Sequence, residues 1–187
     1  MAAGGNPQNV DLGPGRLYVA PITEPDPTSC SAALPSAWVP IGYTEDGTSF
    51  EWNTTSQAVE VAEELEAIGH EITGRTTKVT LSMAEATARN LALATGAGLT
   101  VTAGTAVTLD PPDAGSITAV KLVWDSDESP SALNRRYIFR KCTPSGATTI
   151  ANKKAPQKRL IAVAFDCAKP DSSTKAWRAF SNSLGQI

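Results

Sequence analysis

The side chains able to do demanding chemistry are few. The chain has one histidine, His70, and three cysteines, Cys30, Cys142 and Cys167. Nucleophilic catalysis of the Ser-His-Asp or Cys-His kind needs an imidazole beside the nucleophile and an acid behind it. Any such set here must use His70, which lies in the acidic stretch Ala67 to Glu71. Its neighbour Glu71 does not make a triad, and His70 reads as a surface residue. A structural zinc site takes four N/S ligands, usually in closely spaced pairs, and no Cys-x-x-Cys occurs. The cysteines are isolated and odd in number. They read as three reduced thiols used as small apolar residues, with cytosolic synthesis as the corollary. No metal or cofactor is implied.

Other chemistries fail on spacing. There is no Gly-x-x-x-x-Gly-Lys-Ser/Thr loop and no Gly-x-Gly-x-x-Gly; Gly13-Pro-Gly15 and Gly96-Ala-Gly98 are turn material. A glycosidase needs two carboxylates across a cleft. Nineteen acids are present, but nothing singles out a pair. No enzymatic function is expected. Two basic clusters, Arg135, Arg136, Arg140, Lys141 and Lys153, Lys154, Lys158, Arg159, could meet phosphate. Their only interleaved aromatics, Tyr137 and Phe139, read as core, so solvated or subunit-facing charge is the better account.

Charge is divided along the chain. Residues 1–94 hold 12 acidic and 4 basic residues, whereas residues 95–187 hold 7 and 12. Either the two halves present surfaces of opposite sign that attract between copies, or they interleave and the charges mix.

The elements that must position these residues are mostly strands. Residues 1–14 read as a flexible arm and 15–187 as a single domain. Gly15 to Pro21 and Trp38 to Tyr43 are extended, separated by the Pro-rich loop Glu24 to Pro35. Glu45-Asp46-Gly47 is a turn signal before a strand over Thr48 to Trp52, with Phe50 and Trp52 on one face. Gln57 to Glu71 fits a strand with an acidic face, or a helix on Val61, Leu65 and Ile68. Thr73-Gly74-Arg75 reads as a bend. Thr76 to Met83 alternates, with Val79, Leu81 and Met83 inward. Ser82-x-x-Glu85 matches a capping box opening a helix over Met83 to Thr95, stopped by Gly96.

Short strands are expected over Leu99 to Thr102 and Ala106 to Leu109. Ile117 to Asp125 puts Val120, Leu122 and Trp124 on one face. Arg135 to Cys142 puts Tyr137 and Phe139 on one side, with Arg136, Ile138 and Arg140 on the other. Pro144-Ser145-Gly146 reads as a turn, with a possible strand over Thr148 to Asn152. Arg159 to Cys167 is apolar on both faces and should be central. Lys175 to Phe180 reads as a last strand or short helix. The class is mainly β: a β-sandwich or barrel with one flanking α-helix. The longest apolar run, Leu160 to Phe165, is too short to span a bilayer. The first ten residues lack the basic and apolar regions of a signal peptide.

From Gly15 onward the order of features resembles the major tail tube proteins of long-tailed, siphovirus-type bacteriophages, particularly those of actinobacteria. The resemblance rests on Gly15 to Pro21, on Trp38 to Gly47 and on the Val/Glu-rich Val59 to Ile68. It continues through Thr73 to Leu81 into the helix end Asn90 to Gly96. It implies a non-enzymatic virion subunit related in fold to the type VI secretion tube. Hexameric rings would stack into a tube with a β-barrel lumen. Its implied partners are copies of itself, a tape measure protein in the lumen, tail terminator and distal tail or baseplate proteins at the ends, and DNA in passage. Assembly would take place in the host cytoplasm.

On that reading Lys78, Thr80 and Ser82 face the channel. If Ala58 to Glu66 is a strand, Glu60, Glu64 and Glu66 join them and repel DNA phosphates. The alternative places these glutamates on a solvated outer helix or loop. Arg135, Arg136, Lys153, Lys154, Lys158 and Arg159 are the candidate subunit-interface residues. Rival readings are a head decoration protein, a tail terminator or a carbohydrate-binding β-sandwich.

Overall fold

Val79, Leu81 and Met83 are buried, while the alternating Lys78 and Thr80 are exposed. That alternation fixes one strand against a core, and the rest of the architecture follows from where such strands find partners. The computed structural model describes residues 15–97, 109–113, 115–126, 134–151, 154 and 157–182, apart from the Asp46 side chain.

Eight strands are present among the described residues: β1 (Arg16–Pro21), β2 (Val39–Pro40), β3 (Thr44–Val59), β4 (Gly69–Met83), β5 (Val120–Ser126), β6 (Arg135–Ala151), β7 (Leu160–Ala168) and β8 (Trp177–Ser181). They form one antiparallel sheet in the order β2-β1-β5-β6-β7-β4-β3, with β8 also on β6. The chain is therefore mainly β. The sheet is open, because its end strands β2 and β3 do not pair with each other.

The 17-residue β6 divides this sheet into two halves. Its first part lies between β5 and β8, and its second part pairs with β7 from Lys141 to Ala151. Leu17, Val19 and Leu122 from one half and Val79, Leu81, Val163 and Phe165 from the other share a single buried cluster. The sheet thus folds over on itself, as a half-exposed antiparallel sheet must to bury its apolar face. As the sequence pattern requires, β7 is central, between β6 and β4.

Helix α1 (Ala88–Thr95) closes one end of this core. Thr87 is its N-cap, accepting from the Asn90 backbone N–H at 3.2 Å. The expected capping box is not formed. Ser82 lies within β4, paired with Glu45 and Ala162. Glu85 accepts instead from the Tyr43 backbone N–H at 3.1 Å. The stop is as expected: Gly96 takes φ 79°, and the N–H groups of Gly96 and Ala97 bond back to Leu93 and Ala92. Buried Asn90 donates from Nδ2 to the carbonyls of Ile41 and Glu85, tying the helix to the start of β3.

Three expected turns lie inside strands instead. Glu45-Asp46-Gly47 is a register shift within β3, with Gly47 at φ 75°. Thr73 is skipped between the pairs Thr55–Gly74 and Ser56–Ile72, so the bend there is a β-bulge. Pro144-Ser145-Gly146 sits in β6, which shifts register between Ser145 and Thr149 and runs on to Ala151, taking in Thr148 to Ala151 of the strand expected over Thr148 to Asn152, while Asn152 lies outside the described residues. Turn residues permit the local kink, while pairing on a neighbour keeps the strand going. The strand expected over Leu99 to Thr102 falls outside the described residues, as does all of the one expected over Ala106 to Leu109 except Leu109, which is not in a strand.

The outer face of the first half is covered by the Pro-rich loop. Trp38 packs on Ala20, Val123 and Ile138, with Leu34 beside them. Asp26 accepts from Lys121 Nζ at 2.7 Å and from Arg140 Nε at 2.6 Å. Arg136 donates to Asp125 and to the backbone carbonyls of Ser29 and Ala32. Burial alone would raise the Asp26 carboxyl, but the hydrogen bonds and charges of Lys121 and Arg140 outweigh it and hold it below the usual range.

Candidate assembly surface

The β3–β4 hairpin extends beyond the body. At its root Phe50 packs at 5.0 Å from Phe139 and 5.2 Å from Trp177, ring centre to ring centre. Trp52 makes the last aromatic contact, edge-on to Trp177, with the Arg75 guanidinium over its other neighbourhood at 5.8 Å. Beyond that point every residue from Asn53 to Ile68 is exposed. Strand pairing continues to Val59–Gly69. Seven residues past Trp52 at about 3.3 Å each make an arm of roughly 23 Å.

Residues 60–68 are neither the strand nor the helix that the sequence left open. They form the irregular tip of this hairpin. Glu60, Glu64 and Glu66 therefore do not lie on a strand face, and Val61, Leu65 and Ile68 do not lie on a helix. All six are exposed, Leu65 completely so. A periodic pattern was present, but a tip with no body to pack on has no use for it. His70 is exposed near this tip, opposite Ala58 on β3.

A two-stranded ribbon exposed on both faces is marginal in water by itself. This one also displays Val59, Val61, Leu65, Ile68 and Ile72. Among the described residues, no strand pairs with the outer side of β3, a 16-residue edge. Long free edges accept strands from other chains.

The outward face of β3, β4, β7 and β6 is polar and small. One cross-strand row runs Glu51, Lys78, Asp166, Thr143 and the next runs Ser49, Thr80, Ala164, Ser145. Ser82 lies in a third row with Glu45 and Ala162. Lys78 thus stands between two acids in register, which offsets its charge.

The basic residues divide. Arg136 is buried and engaged inside the chain, which corrects its expected place on a surface. Arg140 is buried in the same way under the loop. Arg135 is half-buried at the start of β6. Lys154, Lys158 and Arg159 are exposed between β6 and β7, and Lys158 reaches Glu45 at 2.6 Å. Lys153 lies outside the described residues. The residues that sequence reasoning missed are Asp26 and Asp125, the acids that draw Arg136 and Arg140 inward. Their partners lie 11 to 114 positions away, beyond any local pattern.

No cluster of metal-ligating side chains occurs among the described residues, and no described helix is long and apolar enough to cross a membrane. The arrangement offers a binding edge, a polar wall and a projecting arm. A family model described as phage tail tube protein matches residues 3–154. The chain belongs to the phage tail tube protein family. That family is structural and not an enzyme family, and it makes this tail tube protein a component of the viral tail, associating with its own copies and with other tail proteins. Comparison with curated proteins finds no significant match.

Proposed function

We propose that this tail tube protein builds hexameric rings that stack into the DNA-conducting tube of a long-tailed, siphovirus-type phage, in a fold related to the type VI secretion tube. The observation that carries this reading is the 16-residue edge of β3, unpaired among the described residues, beside a polar, small-residue face. Pairing that edge with a neighbouring copy would continue the sheet around a ring and leave no exposed edge. Lys78, Thr80 and Ser82 would then face the channel. Lys78 is flanked in register by Glu51 and Asp166, so it adds little attraction for passing phosphate.

The hairpin tip takes a different part in this reading. Glu60, Glu64 and Glu66 extend roughly 23 Å beyond the body, past their own subunit's wall. They would meet the exposed Lys154, Lys158 and Arg159 of a copy in the next ring, with Leu65 and Ile68 buried at the contact. Tape measure protein would occupy the lumen before DNA, with terminator and distal tail proteins at the ends and assembly in the host cytoplasm. Negative-stain microscopy of the purified chain at high concentration tests the assembly. Rings or tubes with a central hole are expected. A chain that stays monomeric, and that the other tail components do not recruit into particles, overturns the reading.

A further inference from the structure

Cys142 on β6 and Cys167 on β7 are direct cross-strand partners. Both side chains point into the core, and their Sγ atoms lie 2.8 Å apart. Directly opposed residues of an antiparallel pair have Cα atoms about 4.5–5.5 Å apart, inside the range of about 4.4–6.8 Å that a disulfide bridges. Closing a bond here asks for no strand movement. Cys30 is no competitor, because it lies in the Pro-rich loop on the opposite side of the first half-sheet, against a cavity lined by Tyr18, Trp38 and Arg136. One cysteine therefore stands apart from a matched pair, which accounts for the odd number.

Access is unequal. Cys142 is fully buried, and burial together with the neighbouring Cys167 thiol pushes its own thiol well up. Cys167 also lines an open cleft of about 810 Å³ between the root of the hairpin and β8, walled by Trp52, Arg75, Asp166 and Trp177. A small oxidant entering there meets Cys167 first.

We propose that Cys142 and Cys167 form a latent redox staple, a dithiol that closes to an intrasubunit disulfide when a low-molecular-weight disulfide reaches the cleft. Cys167 gives its proton to solvent, and its sulfur attacks one sulfur of the reagent R–S–S–R. This forms Cys167–S–S–R and releases the first thiol. Cys142 Sγ then attacks Cys167 Sγ, its proton passing to the departing sulfur, and the second R–SH leaves. Two cysteine thiols are oxidised and one small disulfide is reduced to two thiols. The bond joins β6 to β7, between the two halves of the folded sheet. A viral tail meets an oxidising medium once outside the cell, where such a bond persists.

The test uses the full chain incubated with 2-hydroxyethyl disulfide. Thiols are then counted in denaturant and non-reduced peptides are mapped by mass spectrometry. The count should fall from three to one, with the Cys142 and Cys167 peptides joined and the thermal midpoint raised. Dithiothreitol should restore all three thiols and the original midpoint. Cys30→Ser should fall from two thiols to none with the same joined peptides, whereas Cys142→Ser should stop at a mixed disulfide on Cys167. Three thiols persisting while a control dithiol oxidises overturns the proposal. So does a stable mixed disulfide on Cys167 in the unaltered chain, or a bond that includes Cys30. None of these outcomes depends on whether rings form.

Discussion

Strands β3 and β4 pass through two environments. Near the body, Val79, Leu81 and Met83 are sealed against β7 and the helix, and Phe50 packs into an aromatic cluster. Past Trp52, the same two strands stand largely exposed on both faces. The first half of the sheet shows the opposite treatment, since its outer face is roofed by a loop held with Asp26, Arg136 and Arg140. The chain roofs one face with a clamped loop and leaves an apolar-tipped arm exposed, the arm that the proposed assembly would cover with another copy. On the proposed reading, stability lies in the body and association in the arm.

That separation can be broken from either side. Phe139→Ala should have the largest effect, about 3–5 kcal/mol of lost stability, because a fully buried ring leaves a cavity between both halves. Urea unfolding of the monomer checks it. Asp26→Ala should cost about 2–4 kcal/mol, since it strands the Arg140 and Lys121 charges beneath the loop.

Asp26 also gives the clamp a pH dependence. Its carboxyl is depressed in the folded chain below the ordinary 3.8, so unfolding takes up a proton. Its contribution is complete above that ordinary value and disappears as pH falls through the lower folded value. Urea midpoints across an acid series should fall in that window, and Asp26→Asn should flatten that part of the curve.

The smallest effect on the monomer should come from Leu65→Ser combined with Ile68→Ser. Both side chains are exposed, so monomer stability should move by less than about 0.5 kcal/mol. The concentration needed for assembly should nevertheless rise about tenfold, equivalent to about 1.4 kcal/mol per contact. Sedimentation of assembled material against total protein reads this directly. If the double variant unfolds the monomer, or assembles as readily as the original, the separation between body and arm is wrong.

Alternation was legible wherever a strand met the core. The faces of Val79/Leu81/Met83, Tyr137/Phe139 and Ile161/Val163/Phe165 are as the period of two requires. Turn chemistry was legible as chemistry but not as topology. Gly47 and Gly146 permit a left-handed residue, and only a neighbouring strand decides whether that residue ends a strand or kinks it. The Ser82-x-x-Glu85 pattern failed for the same reason, because β7 claims Ser82 and Tyr43 claims Glu85. The outward face of Lys78, Thr80 and Ser82 on β4 followed from periodicity, whereas the placement of the tip glutamates did not. Their segment has helical and strand periods together, and no packing surface selects one. Arg136 looked like surface charge because the acids that bury it come from elsewhere in the chain.

The pairing of β1 with β5 sets an order of events during synthesis. Tyr18 must wait for Val123, and Asp26 for Arg140, more than a hundred residues later. The hairpin of β3 and β4 needs only itself and is complete in sequence by Met83. A chain leaving the ribosome therefore has both strands of this arm before it owns a body. Loops that long close slowly, and partly folded chains with free edges aggregate. The interval between the arm and the last strand is when a new subunit is most exposed to the wrong neighbour.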